Sequence, residues 1–144
     1  MYSALDIARY IIAHENSEGR SVSNLRLQKL LYFIQVRFIV TYGVNHPCFY
    51  DDIEAWSFGP VVPTVYQAYK AFGGGTIPLG IGDTPQYKLR EGDKLLIDGM
   101  LDDCANYSTS HLVDITHGQS PWIDAHRNYL DNRITNEAIA RYFS

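Results

Sequence analysis

Five histidines, two cysteines and two adjacent acidic pairs are the side chains of this 144-residue chain best suited to chemistry. The histidines are His14, His46, His111, His117 and His126. His111 and His117 do not share the helical face that ligands at i and i+4 occupy, and no HExxH is present. His117 falls at the expected end of a helix, where an imidazolium can satisfy last-turn carbonyls. That structural role outweighs a catalytic one. Paired carboxylates do general acid–base work when one environment raises one pKa. In Asp51-Asp52 and Asp102-Asp103 the partners are sequence neighbours, which point apart on a strand and do not stack on a helix. They are expected as solvated surface. Gly73-Gly74-Gly75 lacks the trailing Lys-Ser/Thr of a phosphate loop and closes a helix instead of opening one. No GxSxG elbow is present. Cys48 and Cys104 stand outside any CxxC or Cys/His cluster and read as reduced, partly buried thiols. The residues imply no metal, no cofactor and no catalytic site, so the chain reads as a protein other than an enzyme.

Composition narrows the class. Hydrophobic residues make up 46% and charged residues 19%, a globular balance with enough chain for one core. Twelve basic against sixteen acidic residues leave a net charge of −4. Phosphate-backbone binding needs clustered Lys and Arg. The nearest approach is Arg26, Lys29 and Arg37, spread along one helix, so nucleic acid is not an expected partner. No stretch nears the roughly 20 apolar residues of a membrane span. The start, MYSALDIARY, lacks the basic opening and apolar run of a signal peptide. A cytoplasmic protein is expected. Aromatics reach 13%, with eleven Tyr, and half-buried aromatics suit binding surfaces.

The elements that position these residues are mainly helical. Ser3 can cap a first helix that Gly19 stops, with Leu5, Ala8, Ile11 and Ile12 on one side. Ser23 can cap a second, with Leu27, Leu30, Leu31, Ile34 and Phe38 as its apolar stripe and Arg26, Lys29 and Arg37 off it. This helix ends near Gly43 and is expected at the centre of the core. Phe49 to Trp56 reads as an extended segment or hairpin arm, and Phe58-Gly59-Pro60 as a turn. Pro63 opens a third helix to about Phe72. Thr76 to Lys88 reads as an irregular loop with room for a short strand. Further helices are expected over Arg90 to Asn106, after Ser108 or Ser110, from a Ser120 cap, and after Thr135. The expectation is a single compact domain over 1–144, mainly α, of about six helices, with a small hairpin or short strands near 49–57 and 84–89.

Three runs carry a resemblance: LQKLLYFIQ (27–35), EAWSFGPVVPTVYQAYKAFG (54–73) and THGQSPW (116–122) with ITNEAIARYF (134–143). Together they resemble the Panacea domain family, which includes SocA-type proteolytic adaptors and phage-associated GepA proteins. The likeness runs from about Leu5 to Phe143 and is weakest over the loop 76–88. It implies an antitoxin that neutralises a cognate protein toxin, encoded nearby, by direct contact. SocA-like members instead deliver a bound toxin to the ClpXP protease. Without a long disordered tail, sequestration is the expectation. An acidic antitoxin would complement a basic toxin. A small enzyme with an unrecognised pocket is the alternative of another class. The oligomeric state is left open.

Within the resemblance, Leu27, Leu30, Leu31, Gly59, Pro60, Pro63, Tyr66, His117 and Trp122 read as fixing the architecture. Contact candidates are a groove bordered by Trp56, Phe58, Tyr66 and Tyr69, whose aromatics would act as anchors. Arg26 and Lys29, expected on the outer face of the second helix, are the alternatives.

Overall fold

In a computed structural model, residues 1–78 and 89–144 are described. The described order is α1 (Ala4–Ser17), α2 (Asn24–Tyr42), β1 (Ile53–Trp56), β2 (Gly59–Val61), α3 (Pro63–Tyr69) with a 3-10 turn (Lys70–Phe72), α4 (Glu91–Cys104), α5 (Thr109–His117), α6 (Ser120–Arg127), β3 (Arg133–Ile134) and α7 (Asn136–Tyr142). The protein is therefore mainly helical with a small antiparallel sheet, ordered β2-β1-β3. Seven α-helices stand among the described residues, where about six were expected. The strand expected near 84–89 falls almost wholly outside the described residues. A third strand lies near the C-terminus, where Ile134 pairs with Ile53 and Arg133 with Glu54.

Local chemistry sets most helix starts. Ser3, Ser23, Ser108 and Thr135 each accept a hydrogen bond from the backbone N–H three residues on, relieving an orphan donor of the first turn. Pro63 sits at the start of α3, where its missing N–H costs nothing. Ser120 departs from expectation. The cap position of α6 is Gln119, which makes no side-chain cap bond. Its carboxamide oxygen instead accepts from the Tyr32 hydroxyl at 2.7 Å in the interior.

α2 is the axis of the core. It packs against α1, α3, α4, α5, α7 and β2. Leu27, Leu30, Leu31 and Ile34 are fully buried, as the stripe predicts. Asn24, Gln28, Lys29 and Gln35 are buried on the same helix, which the stripe does not predict. From Leu27 to Val36 every residue is buried, so this stretch of the helix has no outer face for its polar residues. Each must find a partner inside.

The ends are tied by side chains from afar. Asp51 accepts from the Ala4 N–H and from the Thr64 hydroxyl, both at 2.8 Å, so one carboxylate serves the first turns of α1 and α3. Arg26 donates to the Cys104 carbonyl at 2.9 Å and to the Tyr107 carbonyl at 3.0 Å, placing a cation at the negative end of α4. Arg20 forks onto buried Glu15 at 2.8 and 3.0 Å and also reaches Asp102. Arg37 pairs with Asp103. Cys48 and Cys104 are buried free thiols, and burial pushes both upward in pKa, Cys104 to about 11. Among the described residues, no helix is long and apolar enough to cross a membrane.

Candidate functional site

The three recognisable runs of sequence meet at one place, the hairpin β1–β2. Trp56 pairs with Gly59, so the tight turn is Ser57-Phe58, and Gly59-Pro60 already belong to β2. The turn expected at Phe58-Gly59-Pro60 is displaced because Gly59, at φ +105°, starts the returning strand. A Cβ at Gly59 would lie 2.9 Å from Lys29 Cε and 2.9 Å from Thr116 Oγ1. Only glycine fits that backbone conformation and that gap.

From beneath, α2 holds the hairpin by its buried polar side chains. Lys29 Nζ donates to the Pro60 carbonyl at 2.7 Å. The Gln28 carboxamide accepts from the Val62 N–H at 2.8 Å and donates to Asn24 at 2.9 Å. Asn24 in turn donates to the Tyr66 carbonyl at 3.2 Å. Two turns further along α2 from Gln28, Gln35 accepts from the Cys48 and Phe49 N–H groups and donates to the Phe49 carbonyl. Lys29 was expected on an outer face; it is wholly buried, and burial pulls its ammonium down to about 7. A neutral amine keeps its donor role to Pro60, so the bond survives loss of the charge.

From the side, the late motif grips the hairpin tip. Trp122 Nε1 donates to the Trp56 carbonyl at 2.8 Å. His117 Nε2 lies 3.0 Å from the Ser57 carbonyl, which requires the proton on that nitrogen. His117 therefore serves the hairpin and not the last-turn carbonyls of its own helix. Its ring packs on Trp122 at 4.3 Å, and Trp122 stacks on His126 at 4.5 Å.

What the clamps leave exposed is a groove of about 660 Å³. Trp56 and Phe58 of the hairpin, Tyr66 of α3 and Leu25 of α2 form its walls, and Asn24, Gln28 and Val61 line it between them. Trp56 and Tyr66 meet edge to face at 4.9 Å. Trp56 Nε1 donates to Glu54 at 2.9 Å, satisfying its polar edge. Phe58 is 68% exposed at the turn.

Three of the six contact candidates thus come together: Trp56, Phe58 and Tyr66. The other three do not. Tyr69 is 4% exposed and faces the core, so it cannot border the groove. Lys29 is interior. Arg26 is committed to the end of α4. With Lys29 buried and Arg37 paired to Asp103, the three cations also form no phosphate-binding strip. Sequence reasoning missed Leu25, His126, Tyr129, Leu130 and Asn132. Tyr129 and Leu130 extend the surface into a second lobe, which shares Ala55, His126 and Asn132 with the first. Their signal was present: an apolar pair inside the turn-forming run Asn128-Tyr-Leu-Asp-Asn132. Among the described residues, no group of three or more His, Cys, Asp or Glu is placed to hold a metal ion.

Antitoxin SocA of Caulobacter vibrioides (strain NA1000 / CB15N) is 52% identical over 52 residues, which are 36% of this chain and 27% of that protein. The match thus spans about a quarter of the relative's length. No solved structure matches the chain at a meaningful level of similarity. The family described as "Antitoxin SocA-like, Panacea domain" matches residues 27–123, two thirds of the chain, and encloses α2 from Leu27 onward, the hairpin and the His117–Trp122 grip. The chain belongs to this SocA-like Panacea domain family.

Proposed function

We propose that this protein is an antitoxin that neutralises a cognate protein toxin, encoded nearby, by direct contact through the hairpin groove. One observation carries the reading. Trp56, Phe58 and Tyr66 surround an open groove on a hairpin whose backbone carbonyls at 56, 57 and 60 are all held from elsewhere in the fold. Aromatic anchors on a rigid support are the residues that dominate binding energy, because little freedom is lost when they are covered. Membership of a family named for an antitoxin supports the same reading, as does the local likeness to antitoxin SocA.

The test is growth rescue in cells expressing the toxin from the neighbouring reading frame. Wild-type chain restores growth. Phe58→Ala combined with Tyr66→Ala fails to restore it while keeping wild-type helicity by circular dichroism. Undiminished rescue by the folded double variant overturns the groove as the contact. Toxin abundance distinguishes the mode. Sequestration leaves it unchanged whether or not ClpXP is active, whereas delivery to the protease lowers it only when ClpXP is active.

A further inference from the structure

The loop after α6 is built to display two apolar side chains. Tyr129 is 100% exposed and Leu130 97%. The backbone beneath them is pinned. The Asn128 carboxamide oxygen accepts from the Leu130 and Asp131 N–H groups at 3.1 and 3.2 Å. Asp131 accepts from the Arg133 N–H at 3.0 Å and takes its guanidinium at 2.8 and 3.0 Å. Local side-chain bonds of this kind hold a turn in one shape. An apolar pair fixed in water carries a hydration cost that contact with a partner removes.

The charge that lines the two lobes is opposite in sign to the charge of the whole chain. Net charge is −4. Yet no carboxylate lines either lobe, and Arg127 is the one full charge that does, beside the imidazole of His126. The Arg127 guanidinium has no hydrogen-bond or ion-pair partner among the described residues. Asp131 and Arg133 cancel each other, and Glu54, which keeps its charge, is bonded to Trp56 Nε1 and lines neither lobe. Local potential, not net charge, decides what docks on a patch.

We infer that the Tyr129–Leu130 loop and the hairpin groove form one two-lobed docking surface, and that it takes a protein segment with apolar anchors flanked by carboxylates. The partner's identity as the cognate toxin rests on the antitoxin reading; the chemistry of the segment does not. The apolar anchors fill the groove beside Trp56 and Phe58. A carboxylate meets Arg127, and the partner's own apolar surface covers Tyr129 and Leu130. A basic segment is disfavoured, because its charge would meet Arg127 on a surface that no carboxylate lines.

The test uses the full chain and two synthetic amphipathic peptides, each about 15 residues long with Leu and Trp anchors on one helical face. One peptide carries Glu and the other Lys on the flanks. Binding is followed by chemical-shift perturbation of the chain. The Glu peptide binds about tenfold tighter than the Lys peptide at low salt, with shifts centred on Trp56, Phe58 and Leu130. Arg127→Glu inverts that order, and Leu130→Asp weakens both peptides. Both positions are exposed, so thermal melts of the two variants match wild type. Equal binding of the peptides, preference for the Lys peptide, or no binding of either overturns the inference. So does a concentration-dependent dimer that Leu130→Asp abolishes, which assigns this face to a second copy of the chain. Failed growth rescue with intact charge discrimination would remove the antitoxin reading and leave the docking chemistry standing.

Discussion

The two sides of the hairpin β1–β2 are built on opposite rules. The underside is polar and enclosed: Lys29, Gln28 and Asn24 each bond a backbone group there, and Gln28 and Asn24, bonded to each other, also reach the floor of the groove. The outer side is apolar and open, with Phe58 on water and Trp56 and Tyr66 beside it. In most domains the apolar residues go in and the polar ones out. The reversal teaches where conformational specificity and binding are separated. Buried hydrogen bonds set the backbone in one position, since any shift leaves a polar group unpaired. The aromatics above are free to be selected for a partner without altering the fold.

The comparison is broken most severely at Gly59. Gly59→Ala adds a Cβ against Lys29 and Thr116 at a positive φ, and should cost about 3 kcal/mol, read as a lowered urea midpoint. Gln35→Leu comes next. It strands the Cys48 and Phe49 N–H groups and the Phe49 carbonyl in the interior, for an expected loss of about 2–3 kcal/mol. Lys29→Met sharpens the comparison through pH. The folded pKa of Lys29 is about 7, below that of the unfolded chain. Between about pH 7 and 10 the unfolded state therefore holds more protons, and wild-type stability rises with pH. Relative to Lys29→Met, wild type should gain up to about 1.4 kcal/mol per pH unit in that window, the limit for one proton, in paired denaturation curves. The smallest effect on stability belongs to the outer side. Phe58→Ala should shift unfolding by less than about 0.5 kcal/mol, while weakening partner binding about tenfold or more by titration calorimetry. A large stability loss there would erase the distinction between the two sides.

Legibility followed the range of each interaction. Ser3, Ser23 and Thr135 were readable, and the α5 cap was narrowed to Ser108 or Ser110, because a cap bonds only three residues away. The α2 stripe was readable because periodicity is local. Lys29 was misplaced because helical patterning sends a charged residue outward, and its carbonyl partner lies 31 residues along the chain. The bonds of Arg26 were unreadable for the same reason, since the α4 end it serves is 78 residues away. Tyr69 read as a groove residue because a short helix gives too little pattern to tell its inner from its outer face. Trp56, Phe58 and Tyr66 were found together because a hairpin followed at once by a helix keeps them close. Tyr129 and Leu130 come from a distant loop, and nothing local tied them to the groove.

The silent thiols of Cys48 and Cys104 give the molecule two internal clocks. With their sulfurs shielded and protonated, neither should react with an alkylating reagent until its surroundings part. Cys48 borders the Gln35 clamp and Cys104 ends α4, so mass-resolved labelling times would show which half of the protein breathes first.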